Sequence, residues 1–194
     1  MRRVRLAPLA ALAWASLGAV AALMIATVGL IVTGTSPSEN LFFAFTLGFP
    51  IVGALIASRR PGNAVGWLLL AIGFALTLTS FVDAYVLVPD PPLGTVVAWV
   101  ASWVWYMWLA VAGIFLPLVF PTGQLPSRRW RPALWLGLLA VSLSVVGSAL
   151  KPGELDVDAP SALANPLGAP AQLGELVTAL AGPRRLPSPA PLLV

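Results

Sequence analysis

Cysteine and histidine are both absent from this chain of 194 residues, and only 9% of its residues are charged. Without cysteine there is no disulfide framework and no thiol nucleophile, and without either residue there is no zinc finger. Without histidine, Ser-His-Asp catalysis and any phosphoacceptor histidine within the chain are excluded as well. The shortage of charge excludes more. A soluble domain carries about 25% charged and about 45–50% apolar residues, whereas this chain is 59% hydrophobic with a mean hydropathy of +0.92. It has too little polar surface for an ordinary soluble fold, so an integral membrane protein is expected.

Five stretches contain no Asp, Glu, Lys or Arg: 12–32, 41–58, 64–82, 95–120 and 132–150. A hydrocarbon core about 30 Å thick takes roughly 20 apolar residues at 1.5 Å per residue. Backbone groups in lipid must bond within their own segment, which leaves the helix as the form for such spans. The fold expected is therefore all-α, a polytopic transmembrane helical bundle of five spans. Residues 1–150 make the membrane domain and 151–170 an acidic loop rich in Pro and Gly.

The charges between the spans alternate in sign. Arg2, Arg3 and Arg5 precede the first span, Arg59 and Arg60 join the second to the third, and Arg128, Arg129 and Arg131 join the fourth to the fifth. No acid lies among them. Glu39, Asp83, Asp90, Glu154, Asp156 and Asp158, with the single basic residue Lys151, fall on the opposite side. Cytoplasmic loops collect Lys and Arg, so the N-terminus is expected in the cytoplasm of a multi-pass cell-membrane protein. Ala13-Trp14-Ala15 resembles a signal-peptidase site. The apolar run continues to Val32, however, well past a signal core of 7–15 residues, which favours an uncleaved anchor.

The two basic connections are full of turn residues. Pro61 and Gly62 force a turn, and Asn63 is placed to cap the helix that starts at Ala64. In the longer connection, Pro121 ends the fourth helix, Pro132 suits the first turn of the fifth, and Trp130 between arginines reads as an interfacial anchor. Arginines meeting anionic headgroups account for both loops. Three arginines beside Gly and Gln could also hold a phosphate, but no Walker spacing is present.

Trp99, Trp103 and Tyr106 share one helical face at i, i+4 and i+7. They read as an aromatic belt at the outer interface, or else as the wall of a groove for a lipid or hydrophobic ligand. Pro117 is expected to kink the inner end of that helix. Gly48 and Gly53, Gly66 and Gly73, and Ala110 and Gly113 are spaced for close helix packing. No ionisable group sits mid-span, which disfavours a proton-coupled transporter. An intramembrane hydrolase lacks an acid–base pair, and no inverted repeat stands out. No catalytic residue, cofactor site, metal site or nucleic-acid partner is expected.

Residues 171–182 read as the start of a sixth helix. The density of proline after Gly182 ends it, leaving Arg184 and Arg185 on the side that the other arginines avoid. The expectation from this break is a truncated or frameshifted chain with a Pro-rich tail over 183–194; a naturally short protein is the alternative.

Three patches, SRRPGNAVGWLLL at Ser58–Leu70, LPLVFPTGQLPSRRWRPALWL at Leu116–Leu136 and NPLG at Asn165–Gly168, resemble the N-terminal membrane sensor region of actinobacterial sensor histidine kinases. In that family an RRP-x-N-x-x-GW-L-L inner loop, an FP-x-G-x-L-PS-x-RW inner loop and an NP-[LF]-G turn occur in this order within a multi-helix module. The resemblance implies a sensor module of a two-component system, a homodimer in the lipid bilayer, and a response regulator as partner of a full-length parent. It carries over no catalytic role to these residues, and this chain holds neither a phosphoacceptor histidine nor ATP-binding glycine boxes. The rival expectation is a small standalone membrane protein acting as a partner subunit or weak transporter.

Overall fold

The computed structural model describes residues 6–34, 46–88, 92–158 and 162–170. Arg2, Arg3, Arg5, Glu39, Asp90, the first part of the expected second span, the start of the sixth helix and the tail with Arg184 and Arg185 lie outside these residues.

Helices dominate. They are α1 (Leu6–Gly34), α2 (Gly48–Arg59), α3 (Ala64–Val86), α4 (Gly94–Ala110), α5 (Leu116–Val119) and α6 (Arg131–Ala149). A π turn, Val111–Phe115, joins α4 to α5, and one turn of 3₁₀ helix, Arg128–Trp130, leads into α6. Among the described residues no β-strand forms; a single antiparallel bridge pairs Glu154 with Ala164. Four helical stretches are long and apolar enough to cross a membrane: Pro8–Thr33, Ala64–Val86, Gly94–Val119 and Arg128–Ala149. Each covers one of the expected spans to within a few residues. The 12 described residues of α2 rise about 18 Å at 1.5 Å per residue, and the rest of that expected span falls outside the described residues.

Local chemistry sets the helix ends. The Asn63 side chain accepts a hydrogen bond from the Val65 N–H at 2.9 Å, capping α3 as its sequence position implies. Pro132 lies in the first turn of α6, where its missing N–H is no loss. Where a kink was expected at Pro117, the helix instead widens into the π turn just before it. A proline cannot donate to the preceding turn, and a π turn is a common way for a helix to absorb that break.

Helices α1, α2 and α3 pack against one another as a group of three, α4 packs on α3, and α6 packs on α4. Glycine permits the tightest contact. A Cβ on Gly66 would lie 2.7 Å from the Ala57 backbone nitrogen, and one on Gly53 would lie 2.7 Å from the Leu70 nitrogen. One on Gly73 would press into the Pro50 ring. The α2–α3 hairpin therefore closes backbone to backbone, as small residues allow in a membrane. Gly48 and Gly113 face open space and take no part. Buried Thr27, Thr77 and Thr79 donate to carbonyls one turn back at 2.8 Å, so polar atoms between helices are satisfied locally. On α1 and α6, large apolar side chains such as Ile25, Val32, Trp135 and Leu136 are exposed. An exposed apolar surface of this extent suits contact with acyl chains rather than water.

Candidate functional site

The loops around Asn63, Gly123 and Asn165 lie at the two ends of the bundle. At one end the basic connections meet. Gly123 has φ +79°, a left-handed backbone that glycine adopts without strain. It sits directly on the Asn63 cap: a Cβ there would lie 2.8 Å from Asn63 Cγ and 2.9 Å from the Ala64 nitrogen. The Trp67 indole N–H donates to the Pro61 carbonyl at 2.9 Å, stapling α3 to its own turn. Asn63, Trp67 and Gly123 thus form one joint between loops some sixty positions apart in sequence. Arg59, Arg60, Arg128, Arg129 and Arg131 are exposed around this end. Among the described residues none of the five is paired with an acid; the one salt bridge lies elsewhere.

At the other end, residues 151–158 and 162–170 fold back as a cap. The Leu155 N–H donates to the Leu163 carbonyl at 2.8 Å, and the Asn165 N–H to the Gly153 carbonyl at 2.9 Å. Leu155 is buried against Val82, Val86, Ala98, Ala101 and Val104, with Val157 and Leu163 packed alongside. Asn165 is the clamp. Its Nδ2 donates to the carbonyls of Ala149 at 3.0 Å and Lys151 at 2.8 Å, and its Oδ1 accepts from the Leu167 N–H at 3.0 Å. The last carbonyls of a helix have no partner inside the helix, and this side chain supplies one.

The Trp99 indole N–H donates to the same Ala149 carbonyl at 2.8 Å. The Ser148 hydroxyl donates to the Ser102 carbonyl at 2.9 Å. The end of α6, the start of α4 and the cap therefore close on a single oxygen. Lys151 and Asp156 pair at 3.6 Å across the cap surface, a contact worth about 0–1 kcal/mol at such exposure.

Of the aromatic face expected on α4, the structure brings together two members. Trp99 and Trp103 meet edge to face with ring centroids 5.4 Å apart, half-buried beneath the cap. Tyr106 stacks on Trp105, with ring centroids 4.0 Å apart. The Trp99–Trp103 pair packs against the core that Leu155 completes. A cavity of about 340 Å³ does open at this end, but Lys151, Pro152, Glu154, Leu155 and Asp156 line it. The Trp103 indole nitrogen is buried without a hydrogen-bond partner.

Leu155 and Asn165 were not singled out as packing or clamping residues by sequence reasoning. A signal existed: Leu155 and Val157 alternate with Glu154, Asp156 and Asp158, the period-two pattern of a chain with one buried face. No group of three or more Asp and Glu side chains that could hold a metal occurs among the described residues.

Comparison with protein-family models, with curated proteins and with solved structures finds no match.

Proposed function

We propose that this chain is a membrane-embedded sensor module of the kind found at the N-terminus of sensor histidine kinases. Its basic end faces the cytoplasm and its capped end faces the envelope. The observation that carries the reading is the segregation of two built ends. Five arginines surround the interlocked loops at one, and an acidic, clamped cap closes the other. Basic loops are retained in the cytoplasm, which supports this orientation. Motion is the natural currency of such a module. A change at the cap alters how α4 and α6 are held together, and both helices run to the basic end, where an output would respond through a population shift. The module works as a homodimer in the bilayer, holds no catalytic residue of its own, and reaches a response regulator only through a kinase.

Transcript profiling in the native host tests this reading. A strain lacking the chain is compared with strains complemented by the wild type or by an Asn165→Ala variant that still accumulates in the membrane. Signal relay predicts that deletion alters a restricted gene set and that the clamp variant shifts the same set. Altered solute uptake with an unchanged transcript profile would favour a standalone transporter subunit instead.

A further inference from the structure

Helix α6 lies at the edge of the bundle and packs mainly on α4. Its outer face is open along its length. Arg131, Trp135 and Leu139 follow one another at i, i+4 and i+8, all exposed, with Trp135 at 67% and Leu139 at 56%. The strip therefore runs from cation to aromatic to aliphatic along about 12 Å of helix. Arg128 and Arg129 stand beside its upper end, on the 3₁₀ turn that leads into α6.

We propose that this strip is a binding site for an anionic phospholipid. Its phosphate is held by Arg128, Arg129 and Arg131, and its acyl chains lie along Trp135 and Leu139. Charge and depth argue for this occupant. Three guanidinium groups with no acid partner among the described residues favour a phosphate, which arginine binds through paired N–H donors. An indole one turn below sits at the headgroup boundary that tryptophan prefers. The aliphatic residues beyond it match the hydrocarbon and not a soluble anion. A free phosphate would use the arginines alone, whereas a phospholipid uses the whole strip. The site is independent of any signalling role, since it requires only that α6 span the bilayer.

Tryptophan quenching by brominated lipids reads this site in the full-length chain. The protein is reconstituted in vesicles of zwitterionic phosphatidylcholine doped with brominated phosphatidylglycerol or, in parallel, brominated phosphatidylcholine. The proposal expects stronger quenching by the anionic lipid at equal dose, and loss of that excess in Trp135→Phe. Selectivity should fall roughly fivefold in affinity for each of Arg128, Arg129 and Arg131 changed to Gln. The pair Arg59→Gln and Arg60→Gln, at the same end but off the strip, should leave most of it. Added inorganic phosphate should not compete. Equal quenching by the two lipids overturns the proposal, as does an equal loss from the Arg59 and Arg60 changes. Full competition by phosphate would reduce the site to an anion site. Weak quenching by both lipids would place a second protein copy on α6, and also overturns it.

Discussion

Asn165 joins more of the cap than any other residue, because one amide reaches two helix-end carbonyls and shapes its own turn. Asn165→Ala leaves the Lys151 carbonyl without this donor, while Ala149 keeps the bond from Trp99. A lost buried partner costs about 1–3 kcal/mol, and this clamp is the side-chain link that ties the cap to the end of α6. The expected outcome is rapid proteolytic cleavage within 151–170 while the helical circular dichroism stays at the wild-type level. Gly123 makes the corresponding case at the basic end. Gly123→Ala meets both a left-handed backbone and the Asn63 cap, and a side chain forced into that region costs about 1–2 kcal/mol before any clash. Thermal unfolding in detergent should show a lowered midpoint. Asn63→Ala, which removes the cap but makes room, should cost about 1 kcal/mol and partly rescue the Gly123 change in the double variant.

At the scale of the element, the α2–α3 hairpin is the most tightly built contact, and its glycines differ in kind from those elsewhere. Gly66→Ala drives a methyl group against backbone at 2.7 Å, which no rotamer change relieves. Gly18→Ala on α1 meets nothing within 4 Å. The first substitution should therefore lower the unfolding midpoint in detergent and the second leave it unchanged, although hydropathy treats them alike. This contrast marks what the sequence made legible. Span positions follow from summed hydropathy along a segment, a local quantity, and α1, α3, α4 and α6 lie close to where that sum puts them. Helix ends follow from single residues such as Asn63 and Pro132. Which glycine touches a neighbour depends on the rotation of two helices about their axes, so Gly53, Gly66 and Gly73 could not be told from Gly48 and Gly113. Helical periodicity likewise put Trp99, Trp103 and Tyr106 on one face without saying that Trp99 meets Trp103 edge to face or that Tyr106 stacks on Trp105. The cap was missed because three apolar residues inside a Pro/Gly-rich acidic stretch acquire a buried face only once α3 and α4 supply the other half.

The molecule as a whole is organised by charge. The basic connections and the acidic cap lie at opposite ends of the same helices, joined at one by Gly123 on Asn63 and at the other by Asn165 on Ala149. Placing guanidinium groups away from the hydrocarbon and on one side is the arrangement that insertion enforces, since translocating each arginine is costly. Sidedness is therefore the property on which the proposed role depends most. The absence of cysteine makes the native chain a ready background for measuring it. Ser127→Cys lies exposed on the basic loop and Ala164→Cys lies exposed on the cap. With a membrane-impermeant maleimide, Ala164→Cys should label in intact cells, and Ser127→Cys only after the membrane is opened. The reverse pattern would put the arginines outside and the Asn63–Gly123 joint out of reach of any kinase. Labelling of both in intact cells would mean that α6 does not cross the bilayer, because that helix alone separates the two positions in the chain.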